Sequence, residues 1–174
     1  MPAHIAGSLH AVPSPVWLPF PDDVNALMPS LWSANVTKGD DGVLRIAGHS
    51  VVDLAAAHGT PMYVLDVADF RARAAEFATV FSRAFERVGP GARGYYAGKA
   101  FLCTAAAGWI AEAGLGLDCC TLGELMVAQR AGFDPALVGL HGNNKSDEEI
   151  AYALDWGIGR IVIDSFDEIP RVAA

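Results

Sequence analysis

The second half of the sequence predicts an α/β fold built from parallel strand–helix units. Four apolar strands end near Ala97, Asp118, Gly142 and Asp164, at intervals of 21, 24 and 22 residues. A helix-like stretch follows each strand, and this alternation is typical of βαβ units. The run 137–140 is apolar on both faces, as a covered or closed parallel sheet requires.

The strand and helix pattern leaves two architectures open. The predicted helices cover 101–113, 122–130 and 147–156, and a fourth starts near Phe166. Four such units occupy about 80 residues, whereas a (β/α)8 TIM-type barrel needs eight units and roughly 250 residues. The chain therefore fits the first four units of a barrel, but an open, doubly wound sheet of four or five strands fits equally well.

The first half of the chain divides into three stretches. Residues 1–30 are proline-rich and predict a disordered leader. Residues 31–60 predict a hairpin around the turn at 39–42, then a helix capped by Ser50 and ended by Gly59. From residue 61 to 174 we expect the barrel-like region, opening with a strand at 62–65.

A long amphipathic helix is predicted to follow that strand, from about Val67 to Val88. Five apolar residues recur at spacings of three and four, which places them on one face that we expect to pack in the core. They are Phe70, Ala74, Phe77, Phe81 and Phe85.

Composition narrows the class of partner. The net charge is −8 and the sequence has no basic cluster, which argues against nucleic acid and anionic membranes as partners. No window reaches the ~18 continuous apolar residues of a membrane span. Three cysteines without a CxxC pair argue against a disulfide scaffold or a metal site, and they predict thiols in a reducing, cytoplasmic compartment.

Lys99 is the candidate catalytic residue. It follows the apolar strand that ends at Ala97, between the small residues Gly98 and Ala100. A lysine at the end of a strand suits chemistry in which an amine meets a carbonyl group, as in a Schiff base. The amine reacts only when neutral, and the apolar neighbours favour that form.

Polar residues also follow the other three strands. Parallel strands present their carboxyl ends, where ligands bind, at one rim. Asp118 follows the second strand, His141 and Asn143 the third, and Asp164 the fourth. Structural roles are the alternative, because an aspartate also caps helices and an Asn-Asn pair also forms turns.

Five stretches resemble the N-terminal part of the ornithine, diaminopimelate and arginine decarboxylase family, which consists of fold-type III pyridoxal phosphate enzymes. The diaminopimelate decarboxylase branch is the most similar. The stretches occur in the family's order and spacing, and they read GTPMYVLD from Gly59, YAGKA from Tyr96, LDCCTLGEL from Leu117, HGNNKS from His141 and IDS from Ile163.

The resemblance implies a (β/α)8 barrel with a β-domain to which residues 31–60 contribute, and a homodimer. It also implies decarboxylation of meso-2,6-diaminopimelate to L-lysine with pyridoxal 5'-phosphate as cofactor. Lys99 matches the lysine that forms the Schiff base, and cofactor contacts are expected from Ala97, Asp118 and His141. On the substrate side we expect Glu124 and Asn143, although Glu124 also suits a purely helical role.

Several motifs of the family have no counterpart in the sequence. They include the ring-stacking histidine, the glycine-rich phosphate loop and the glutamate that pairs with the pyridine nitrogen. We therefore interpret the chain as an N-terminal fragment that is inactive alone. The alternatives are a noncatalytic half-barrel that binds or regulates a partner, and another fold-type III activity, such as ornithine or arginine decarboxylation or alanine racemase-like chemistry.

Overall fold

The computed structural model describes residues 23, 25–86, 88–89 and 91–173. Most of the predicted leader at 1–30 therefore lies outside the described residues. The chain divides into two compact units, Met1–Val64 and Leu65–Ala174. None of the described helices is both long and apolar enough to cross a membrane.

The described residues of the first unit form a small antiparallel sheet and a helix. Its strands, in sheet order, are β1 (Val36–Lys38), β2 (Leu44–Ile46) and β3 (His49–Ser50), followed by α1 (Val51–His58). The Ser50 hydroxyl accepts the Asp53 N–H, and Gly59 ends the helix with φ of +79°. The predicted hairpin and the predicted caps of α1 are confirmed.

The second unit is a four-stranded parallel sheet whose strands follow chain order, and the predicted alternation of strands and helices is confirmed. Its elements are α2 (Val67–Glu86), β4 (Tyr95–Ala97), α3 (Thr104–Glu112), β5 (Gly116–Cys119), α4 (Leu122–Arg130), β6 (Val138–His141), α5 (Asp147–Trp156), β7 (Arg160–Val162) and α6 (Glu168–Ala173). A short 3-10 turn, Pro135–Leu137, precedes β6.

Two expectations about the start of this region are wrong. Residues 62–65 form no strand, because an apolar run becomes a strand only when a neighbour pairs with its backbone. The apolar face of α2 is also less buried than its periodicity predicts. Ala74 is in the core, but Phe77 and Phe85 are 50% and 41% exposed.

Among the residues that the structure describes, the helices of the second unit form their core with one face of the parallel sheet. Leu117 and Leu140 are fully buried on that face and share a single core with residues of α2, α3, α4 and α5. Burial of each such leucine stabilises the fold by about 1.5–3 kcal/mol. A doubly wound sheet carries helices on both faces, so this arrangement is that of a partial barrel.

The other face of the sheet is polar and carries two central glycines. Register pairs Tyr95 with Gly116 and Gly139 with Arg160. The Arg160 guanidinium lies 4.7 Å from the centre of the Tyr95 ring. A Cβ on Gly116 would fall 2.4 Å from that ring, so the glycine provides the space that the tyrosine occupies.

Candidate active site

The carboxyl ends of the four parallel strands meet at one rim, where a cleft of about 610 Å³ opens. Register places Ala97 beside Asp118, and His141 beside Val162. The residues that line the cleft come from all four strand ends and include Lys99, Cys120, His141, Asn143, Asn144 and Asp164.

Lys99 lies in a tight turn that is fixed to the neighbouring strand. The buried Gly98 donates its N–H to the backbone oxygen of Asp118, at 2.8 Å. A Cβ at position 98 would stand 3.1 Å from that same oxygen, so the close approach favours glycine. Lys99 itself is exposed at the cleft and makes no ion pair with a described residue.

Asp118 and His141 are paired across β5 and β6. The Oδ2 atom of Asp118 is 3.4 Å from Nδ1 of His141. Asp118 does not cap α4, because the Thr121 hydroxyl accepts the Glu124 N–H at 3.2 Å and serves as the cap. The aspartate side chain is therefore available to orient the imidazole at the rim.

Three of the predicted site residues, Asp118, Ala97 and Glu124, do not line the cleft, although Asp118 pairs with His141, which does. Ala97 lines a separate apolar groove between β4 and α2, with Phe70 and Phe77. The Glu124 carboxylate accepts the backbone N–H of Cys120 and so holds the turn after β5.

The cysteine thiols near the cleft are poor nucleophiles. Burial raises the pKa of Cys119 to about 12. Burial, and to a smaller extent a hydrogen bond with Glu124, also raises the pKa of Cys120. Both thiols are protonated at neutral pH, so the Lys99 amine is the stronger candidate for covalent chemistry.

The role of three glutamates in holding the rim loops was not predicted from the sequence, although Glu124 was named as a substrate-side residue. Like Glu124, Glu149 accepts backbone N–H groups, here from Leu122 and Ser146 at 3.0 and 2.8 Å. Glu168 accepts the Asp164 N–H at 2.9 Å. All three follow a Ser or Thr by three residues, and this capping-box spacing is the signal that would have revealed them.

Lys145 is the other residue whose role was missed. Its side chain is completely buried and its Nζ lies 2.9 Å from Oε1 of Glu168, whose side chain is 5% exposed. Lys145 also donates a hydrogen bond to the backbone oxygen of Gly142. The sequence gives no local signal for such a pair, because its members follow different strands.

Comparisons with known proteins agree with this geometry. Residues 50–174 match the pyridoxal binding domain of the pyridoxal-dependent decarboxylases. The chain is 44% identical over 179 residues to the diaminopimelate decarboxylase of Mycobacterium leprae, which covers 100% of this chain and 36% of that protein. Identity to the Mycobacterium tuberculosis protein of that name is 48% over 148 residues, covering 85% and 32% of the two chains.

Solved structures of related proteins share the fold. The crystal structure of diaminopimelate decarboxylase from M. jannaschii has a TM-score of 0.70 and 28% identity, covering 80% of this chain and 32% of that one. For the Helicobacter pylori enzyme complexed with L-lysine, the TM-score is 0.54 at 28% identity, covering 70% and 29%. The chain thus spans about a third of the relatives' length, and the predicted family and partial-barrel fold are confirmed.

Proposed function

Because this chain belongs to the pyridoxal-dependent decarboxylase family, we propose that it supplies the reactive lysine of a diaminopimelate decarboxylase. The reaction would convert meso-2,6-diaminopimelate to L-lysine and carbon dioxide in lysine biosynthesis. The observation that carries the proposal is Lys99, held by Gly98 at a strand end and exposed to the rim cleft. Identities of 44–48% to relatives of that name support the choice of substrate.

The residues of the cleft fit the aldehyde end of pyridoxal 5'-phosphate. The cleft presents one primary amine beside the paired Asp118 and His141, and both polar and apolar atoms line it. We propose that Lys99, Asp118 and His141 hold the cofactor, whereas Ala97, which lines the separate apolar groove, does not contact it. When bound, pyridoxal phosphate supplies an electron-accepting ring that stabilises the electron pair left when carbon dioxide departs.

Lys99 would perform two tasks in this site. In its neutral form, the Lys99 Nζ would hold the cofactor through its aldehyde carbon, with loss of water, and would be released when a substrate amine takes its place. The released amine remains tethered beside the reacting carbon, where it can hold or deliver a proton. The Gly98 hydrogen bond to Asp118 limits how far this turn can move, which keeps the amine at the rim.

Asn143 and Glu124 would act on the substrate side in different ways. Asn143 lines the cleft, and we propose that its amide contacts the substrate directly. Glu124 is bound to the Cys120 amide, so its proposed contribution is to fix the turn near Lys99.

Two further features complete the proposal. The described cysteines are free thiols, which supports a reducing, cytoplasmic compartment. A homodimer is proposed on the family resemblance alone.

The test is turnover by a protein that joins this chain to the segments that its relatives carry beyond it. With pyridoxal phosphate present, we expect release of lysine and carbon dioxide from meso-diaminopimelate. Lys99→Ala should lower the rate by more than about 10³-fold, because both its covalent and its proton-transfer roles are lost. Lys38→Met, in the separate first unit, is the control and should retain the rate. Equal rates for the parent and Lys99→Ala, or faster turnover of ornithine or arginine, would contradict the proposal.

A further inference from the structure

The buried ion pair between Lys145 and Glu168 has no part in the chemistry proposed above. A buried charge is costly unless it is paired and hydrogen-bonded, and here both conditions are met. Lys145 Nζ contacts Glu168 Oε1 at 2.9 Å and the Gly142 carbonyl, while Glu168 Oε2 accepts the Asp164 N–H at 2.9 Å. Gly142 and Lys145 lie in the loop after β6, Asp164 lies in the loop after β7, and Glu168 is the first residue of α6.

The pair joins the two rim loops that form one side of the cleft. Gly142, whose carbonyl accepts from Lys145, lies in the loop after β6 and lines the cleft. Asp164, whose N–H binds Glu168, lies in the loop after β7 and lines it too. The side chains of Lys145 and Glu168 do not line the cleft, but they hold the backbone of two residues that do.

Arg171 reinforces this connection from outside. Its guanidinium donates to the backbone oxygen of Lys145 at 2.6 Å and to Oδ1 of Asp147 at 2.7 Å. The loop that ends at Ser146 is thus held to α6 by both a buried and a more exposed contact. A pair of apolar side chains would fill the same space, but it would leave Gly142 and Asp164 without these bonds.

We infer that Lys145 and Glu168 are positioning residues that set the rim backbone at Gly142–Asn144 and Asp164 for cofactor capture at Lys99. The part of this inference that concerns cofactor capture at Lys99 rests on the proposed function. The backbone atoms are the ones being placed, so the effect depends on the hydrogen bonds of the pair and not on its volume.

The test separates positioning from stability in the whole chain. The double variant Lys145→Met with Glu168→Met removes both charges and both sets of hydrogen bonds while it keeps apolar volume, so Tm should stay close to that of the parent. Glu168→Gln is the milder variant, because its amide oxygen still accepts the Asp164 N–H. Lys38→Met is the matched lysine control.

Two measurements are made on each variant. Borohydride trapping at increasing pyridoxal phosphate, with mass spectrometry of the Lys99 peptide, gives a half-saturating concentration and a limiting rate. Amide hydrogen exchange without ligand reports the backbone at 142–146 and 164–168. For the double variant we expect the half-saturating concentration and the rim exchange rates to rise about tenfold or more, with a nearly unchanged limiting rate.

The results that overturn the inference are specific. A folded double variant with the parent's half-saturating concentration and rim exchange would mean that the pair contributes only stability. If the double variant does not fold, Glu168→Gln decides, and parental values for it contradict the inference. If Lys99 of the parent is never trapped, the proposed function fails, and the exchange data alone decide whether the pair positions the rim.

Discussion

Two lysines that follow strands of the same sheet have opposite environments. Lys99, after β4, is exposed at the cleft and makes no ion pair with the described residues. Lys145, after β6, is completely buried and pairs with Glu168 at 2.9 Å. Both follow apolar strands by a few residues, so position along the strand–helix repeat does not determine which lysine is available for chemistry.

The two lysines differ in which atoms hold their loops in place. The turn at Lys99 is fixed through backbone atoms of Gly98 and Asp118, which leaves the amine uncommitted. The loop at Lys145 is fixed through the amine itself. One loop uses backbone contacts to present its lysine, and the other uses its lysine to hold the backbone.

The largest expected effect is on stability. Lys145→Met leaves the Glu168 carboxylate buried without its partner, and we expect Tm to fall by roughly 10 °C. Lys99→Met removes an exposed amine and should leave Tm within about 2 °C of the parent. Thermal unfolding followed by circular dichroism makes the comparison, and equal shifts for the two variants would remove the distinction between the lysines.

The second prediction concerns Gly98, which directly precedes Lys99. An alanine Cβ at position 98 would stand 3.1 Å from the Asp118 carbonyl, whereas at Gly108, in α3, nothing lies within 4 Å of the added atom. Gly98→Ala should therefore displace the Lys99 turn and slow trapping of Lys99 by about tenfold. Gly108→Ala is the control, and a comparable loss there would show that the Gly98 contact is not special.

The third prediction is a pH dependence of the Lys145 region. The hydrogen bond from the Asp164 N–H, and to a smaller extent that from Lys145, lowers the pKa of Glu168 below its ordinary value of 4.5. A lowered pKa in the folded state adds stability that is complete above pH 4.5 and is lost as pH falls through the folded value. The difference in unfolding free energy between parent and Glu168→Gln should shrink below pH 4.5, and a difference that grows there would contradict the assignment.

The smallest expected effect is at the Asp118–His141 pair. The two side chains are 3.4 Å apart, and the imidazole is about half exposed. His141→Asn should change the free energy of unfolding by less than about 0.5 kcal/mol. Urea unfolding checks this, and a loss as large as that of Lys145→Met would mean that the rim pair is structural.

Local patterns predicted the parts of the molecule that are determined locally. Apolar runs between turn residues placed β4 to β7, and the N-cap at Ser50 was recognised from its own neighbourhood. The resemblance then identified the partial barrel, which periodicity alone had left undecided. Lys99 was singled out because only a strand end followed by small residues presents an amine in this way.

The missed features depend on pairing between distant parts of the chain. The Lys145–Glu168 pair joins two loops, and no window of sequence contains both partners in one pattern. The run at 62–65 has the composition of a strand but lacks a paired backbone. Glu124 is the exception, because its contact with the Cys120 N–H is local and its spacing from Thr121 signals it.

The most direct test of the central claim is a map of where pyridoxal phosphate attaches. The sequence has three lysines, Lys38, Lys99 and Lys145, and each falls in a different peptide. After borohydride reduction at limiting cofactor, we predict that the label lies on Lys99, with little on the exposed Lys38 and none on the buried Lys145. Label on Lys38 or Lys145 with Lys99 unmodified would contradict the account.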